Sequence, residues 1–142
     1  MRDLLIQLKR EHEQVLDLAR ELEGFLPPPK SNNALQTAQL RMSLERLTVL
    51  LAEHGKKETD LLFPELLSRL PKSDHWQVRM LEIQDEAIGV EARHLLDWCT
   101  TPTAPPLARV REHGVRLVRW LREHVAIEEE RLFPRLKESV SA

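Results

Sequence analysis

The chain has 142 residues, 42 % of them hydrophobic and 31 % charged, with three Phe, three Trp, no Tyr and four Gly. That length closes one hydrophobic core, so a single domain over 1–142 is expected, built from long amphipathic helices with solvated outer faces. A net charge of −2 with both signs interspersed leaves no basic footprint for nucleic acid or an anionic membrane surface, and neither partner is expected.

The first predicted helix covers 2–26. Its opening run, Met1-Arg2-Asp3-Leu4-Leu5-Ile6, reaches charged residues at once, unlike a signal peptide, and no segment approaches the ~18 apolar residues of a membrane span. A soluble, cytoplasmic protein is expected. Leu5, Leu8, Val15, Ala19 and Leu22 form an apolar stripe at steps of three and four, with His12 in its middle slot. Pro27-Pro28-Pro29-Lys30-Ser31-Asn32-Asn33 breaks the chain and offers N-caps at its end. The second helix, 33–70, carries Leu47, Leu51 and Leu61, and the slots between are His54 and Glu58. Pro71-Lys72-Ser73-Asp74 marks the next turn.

The third helix, 74–99, has the stripe Val78, Leu81, Ile88, Ala92 and Leu95, offset by 73 from the first, and the slot equivalent to His12 holds Asp85. Glu82 and Glu86 flank it within a turn. Cys99 is alone in the chain, which excludes an intrachain disulfide, fits a reducing compartment, and reads as a small packed hydrophobe. Thr100 to Pro106 carries three prolines. The fourth helix, 105–138, sets Leu117, Leu121 and Leu132 around His124 and Glu128. The expected fold is all-α: an antiparallel up-down four-helix bundle of two pseudo-symmetric hairpins.

An internal repeat is the most informative feature. Leu51 to Leu66 returns seventy residues later as Leu121 to Leu136, sharing Leu-x-Glu-His-x-x-x-Glu-x-x-x-Leu-Phe-Pro-x-Leu. Residues four apart lie on one helix face, about 6 Å apart along the axis, so His and Glu can serve one cation or a Glu can bridge two. A lone His-x-x-x-Glu pair is usually a solvated surface contact. Here the pair occurs twice, on stripe positions where apolar residues belong, and burial of an imidazole beside a carboxylate needs pairing, hydrogen bonds or metal. The competing metal-free arrangement is a polar network in which His54 donates to Glu128 and His124 to Glu58. Imidazole and carboxylate without thiolate suit iron or manganese, with zinc as a substitute. The expected ligand set is His12, His54, Glu58, Asp85, His124 and Glu128, with Glu82 or Glu86 in place of Asp85 if the third helix is shifted or turned.

Other residues are set aside. His113 lies about 16 Å along the axis from His124, too far to share its metal. His94 is read as a partly buried polar contact, and His75 as exposed beside a turn. Pro64 and Pro134 either kink or end their helices. Gly55, next to His54, either leaves room by the site or is a tolerated defect.

Together, Glu11-His12, Glu53-His54-x-x-x-Glu58 with Leu62-Phe63-Pro64, and Glu123-His124-x-x-x-Glu128 with Leu132-Phe133-Pro134 resemble the hemerythrin-like HHE cation-binding family over nearly the whole chain. The resemblance implies a di-iron centre with a solvent-derived oxo or hydroxo bridge. It also implies roles in binding or sensing dioxygen or nitric oxide, in iron handling, or in oxidative and nitrosative stress. The third helix departs from the family, which usually places one or two histidines there, so Asp85 gives a more carboxylate-rich site than reversible dioxygen carriage uses. Oxygen-carrying members place an Asp five residues after the last His; here Glu128 stands at four and Glu129 at five, and the repeat favours Glu128. Binding or sensing ranks first, a di-iron oxidoreductase (a peroxidase or an iron-oxidising protein) second, and a metal-free interaction bundle third.

Overall fold

The computed structural model describes residues 1–26, 34–100 and 107–141, with side chains over 1–26, 37–100 and 108–137. Four helical rods make up the described chain, as the stripes require. Helix α1 spans Arg2–Phe25 and α2 Ala34–Lys57, which continues through a wide turn at Glu58–Leu62 into α3, Phe63–Arg69. A single 3₁₀ turn, Lys72–Asp74, leads into α4, His75–Thr100. The last rod is α5, Leu107–Ile127, the wide turn Glu128–Leu132, and α6, Phe133–Ser141. The breaks expected at 27–33 and 101–106 lie outside the described residues.

Two of the helix ends have a simple cause. Leu26 (φ −62°, ψ 134°) and Leu70 (φ −81°, ψ 146°) are extended, and each precedes a proline, whose ring excludes the helical region for the residue before it. Around the bundle, α1 packs on α2 and α5, and α4 packs on the same two. Helices α1 and α4 are therefore diagonal, as are the two rods that carry the repeat.

The wide turns correct one expectation. In each, the Phe N–H bonds the carbonyl five residues back, Phe63 to Glu58 and Phe133 to Glu128, which is π-helical geometry. Pro64 and Pro134 follow at once and supply no N–H, so the turn widens at a place where an α-helical bond is already lost. The prolines neither end the rod nor kink it alone. One extra residue per turn rotates everything beyond Glu58 by about a hundred degrees. Leu62, not the expected Leu61, enters the core: Leu62 is fully buried and Leu61 is 53 % exposed.

The core is two apolar clusters with a polar layer between them. One gathers Val15, Ala19, Leu22, Leu44, Leu47, Ile88, Leu95 and Leu117. The other gathers Leu5, Leu8, Leu62, Phe63, Leu66, Leu81, Leu132 and Phe133. Among the described residues, no helix is long and apolar enough to cross a membrane.

Candidate metal centre

The layer between the clusters is built from a His–Glu pair on each of the two repeat-bearing rods and one residue from each of α1 and α4. Both Phe-bearing wide turns begin at the Glu of a His-x-x-x-Glu pair, so Glu58 and Glu128 project inward from opposite rods while His54 and His124 do so one turn earlier. His12 comes from α1 and Asp85 from α4. His12, His54, Glu58 and Glu128 each offer an atom within 4.8 Å of the others, and Glu58, Asp85, His124 and Glu128 do the same. The two groups share both glutamates. All six residues expected from the sequence thus converge, with Asp85 at the level that its stripe assigns, while Glu82 is drawn to Arg79 (3.1 Å) and Glu86 is exposed.

The inner atoms crowd together without bonding. His54 Nε2 lies 2.7 Å from Glu58 Oε1. His124 Nε2 lies 2.5 Å from Glu128 Oε1, 2.8 Å from Asp85 Oδ1 and 3.8 Å from Glu58 Oε2. His12 Nε2 is 3.6 Å from Glu128 Oε2. Yet Nε2 of all three histidines, both oxygens of Glu58 and of Glu128, and Asp85 Oδ2 are buried with no hydrogen-bond partner. Buried polar atoms left in this state cost free energy on the order of 1–3 kcal/mol each, more for charged groups. The cross-paired version of a metal-free network (His54 to Glu128, His124 to Glu58) is not formed among them.

The outer nitrogens, by contrast, are all bonded. His12 Nδ1 meets Glu129 Oε2 at 2.7 Å, His54 Nδ1 meets Glu11 Oε1 at 2.8 Å, and His124 Nδ1 meets Gln84 Oε1 at 3.1 Å. An acceptor at Nδ1 fixes the proton there and turns the Nε2 lone pair inward, the arrangement that orients a ligating imidazole. Lys57 in turn holds the second oxygen of Glu11. These outer partners were missed in the sequence, apart from Glu11 as a motif residue. The same stripe offset of 73 that equates His12 with Asp85 equates Glu11 with Gln84, and this was the available signal.

The electrostatics favour positive charge at the centre. Burial disfavours a charged His54, but Glu58 and Glu11 beside it outweigh this and lift its pKa to about 9. Burial opposes charge at His124 as well, yet Asp85, Glu128 and Glu58 push it up to about 12. Burial works to raise Glu128, and the surrounding imidazoles overcome it and bring the carboxyl down to about 2. Asp85 is raised, chiefly by burial.

The remaining histidines stand apart from the centre. His113 donates to Glu91 (2.5 Å) and meets the edge of Trp98. His94 is exposed and stacks on Trp98, rather than making a partly buried polar contact. His75 is half-buried, not exposed, and its Nε2 donates to the Leu70 carbonyl at 3.0 Å.

A model of the hemerythrin HHE cation-binding domain matches residues 3–136. No curated protein and no solved structure matches the chain.

Proposed function

The chain belongs to the hemerythrin HHE cation-binding family, and on that premise we propose that it holds two iron ions in the polar layer and binds or senses a small ligand such as dioxygen or nitric oxide there. The observation that carries this reading is the set of inward, buried, unbonded donor atoms on His12, His54, Glu58, Asp85, His124 and Glu128. An imidazole ligates only as the neutral form, so once the histidines bind cations the three acids among them leave a charge of −3 in the interior for those cations to compensate. One divalent cation leaves an excess of one negative charge, whereas two leave one positive charge, which a single solvent-derived hydroxide would neutralise. The sharing of Glu58 and Glu128 between the two ligand groups points to the same number.

In this reading His12 and His54 would hold one ion and His124 and Asp85 the other, with Glu58 and Glu128 spanning both. Iron when bound supplies a redox-active Lewis acid suited to imidazole and carboxylate donors; manganese and zinc are the substitutes the same donors accept. The chain's own part is positional. Glu129, Glu11 and Gln84 hold the imidazoles, the two apolar clusters exclude water above and below, and the π turns aim the shared carboxylates. The test is metal analysis by mass spectrometry, with an optical spectrum, of protein loaded with ferrous iron in air. About two irons per chain with near-ultraviolet charge-transfer absorption is expected. A folded protein that retains no transition metal would return the layer to a polar network.

A second reading, an oxidoreductase using the same centre, is favoured by one observation. A cavity of about 490 Å³ reaches His12, His54, Asp85 and His124, more room than a diatomic molecule needs.

A further inference from the structure

The pseudo-two-fold relation makes the origin of that cavity readable. Its mouth lies between α2 and α4, where Ala52, Gly55, Thr59, Asp85 and Gly89 face one another. The repeat offset of seventy equates the first three with Arg122, Val125 and Glu129, and the stripe offset of 73 equates the last two with His12 and Leu16. Every equivalent on the α5–α1 side is larger. On that side Glu129 bonds His12 and closes the layer, whereas on the α2–α4 side no described side chain does so. The exposure of the two equivalent side chains follows: Asp85 is 24 % exposed and His12 2 %. A methyl group placed on Gly55 would meet no atom within 4 Å, and one on Gly89 would meet only the mobile end of Arg93 at 3.4 Å. The glycines therefore keep the space open and are not required by packing.

We infer that the α2–α4 cleft is a binding subsite for an uncharged molecule with an oxygen head group and a short alkyl body, the head at the Asp85–His124 half of the centre. This rests on the reading of the layer as a metal centre. The volume lies within the range of small-molecule sites, about 300–1,000 Å³. The wall is mostly apolar, with Val15, Leu51, Ile88 and Leu121 along it, and accepts an alkyl chain. The donor set at the floor, two carboxylate types and an imidazole, selects an oxygen head for a hard or borderline cation. The rim carries no single-sign cluster, since Glu82 is held by Arg79 and the lining places Glu86 and Arg93, of opposite charge, along it. The α5–α1 side offers no such approach.

The test uses the full chain loaded with manganese(II) and titrated with ethanol, 1-butanol and 1-hexanol. Binding is read from paramagnetic relaxation of the alkyl protons, and metal content from mass spectrometry of the same samples. Affinity should rise about fourfold per added CH₂. In Gly55→Val/Gly89→Leu, which places the α5–α1 residue types in the mouth, the rise should vanish with manganese retained; Gly55→Val alone is the second variant should the double one unfold. A flat series in the wild type, a rise that survives in the folded variants, or butyrate binding more tightly than 1-butanol overturns the subsite while leaving the centre intact. Absence of manganese from the wild type overturns the subsite together with the centre.

Discussion

The two sides of the polar layer are made to one plan with side chains of different size. On the α5–α1 side, His12 is sealed by Glu129; on the α2–α4 side its equivalent is Asp85, and the counterpart of Glu129 is Thr59. The outer partners differ as well, since His54 is held by the acid Glu11, itself on Lys57, whereas His124 is held by the neutral amide of Gln84. What is shared between the sides, Glu58 and Glu128, has no such asymmetry. A two-fold frame thus fixes where the candidate ligands stand, and the residues departing from it decide which side is closed, which is open and how strongly each imidazole is polarised.

The frame itself is broken most completely at the shared residues. Glu58→Ala or Glu128→Ala should each remove both cations, because each residue belongs to both ligand groups. Mass spectrometry of iron-loaded protein should find metal falling from about two per chain to near zero. Loss of only one ion in either variant would show that the glutamates are not shared. The two sides are then separated by Asp85→Ala, expected to lose about one ion and keep the other. Asp85→His should retain both and shift the optical spectrum toward a histidine-rich type. If Asp85→Ala leaves content and spectrum unchanged, the open side holds no cation and the asymmetry is only steric.

A finer comparison concerns the outer partners. Replacing an acceptor at Nδ1 of a ligating imidazole typically costs ~10–100-fold in metal affinity. Glu11→Gln keeps the shape and removes the charge, making the outer partner of His54 resemble that of His124. It should weaken the ion held by His12 and His54 by about tenfold, at the low end of that range. Gln84→Glu should strengthen the other, as competition against a calibrated chelator can measure. Equal affinity shifts at both ions from either change would mean that the two imidazoles are not independently tuned.

How far the sequence carried these conclusions follows from the kind of signal each residue gives. Periodic burial located the rods, and polar residues intruding on a stripe located all six inner residues, since a His, Asp or Glu on an apolar face is conspicuous. The assignment of Asp85 came from register alone. The outer partners Gln84 and Glu129 were not legible, because a polar residue beside the stripe looks like any solvated position. The π turns were missed for a different reason. Leu61 and Leu62 stand in succession, so either satisfies a helical stripe, and the five-residue hydrogen bond from Phe63 to Glu58 selects the latter. Gly55 lines the cavity beside the centre, with open space where a side chain would stand.

The smallest expected effect lies at the far end of the bundle, where the hairpins again differ within one plan. Glu21 of α1 accepts from Ser43 and Arg46, and Glu91 of α4 pairs with His113 and Arg116; Ser43 and Arg46 are the seventy-residue equivalents of His113 and Arg116. The first clasp is largely solvated, with Arg46 58 % and Glu21 37 % exposed, whereas Glu91 is 10 % exposed. Water replaces a lost partner at the exposed clasp, so Arg46→Ala should cost no more than about 1 kcal/mol. At the other clasp, Arg116→Ala leaves Glu91 buried with His113 as its remaining partner, and removes a guanidinium that also lies 5.3 Å over the Trp120 ring. Stranding a buried carboxylate in part costs about 1–3 kcal/mol. Urea denaturation of the two variants at one pH and fixed metal content should therefore rank Arg116→Ala below Arg46→Ala. A reversed order would mean that Glu91 regains solvent when Arg116 is removed, and that the second hairpin opens at its end more readily than the first.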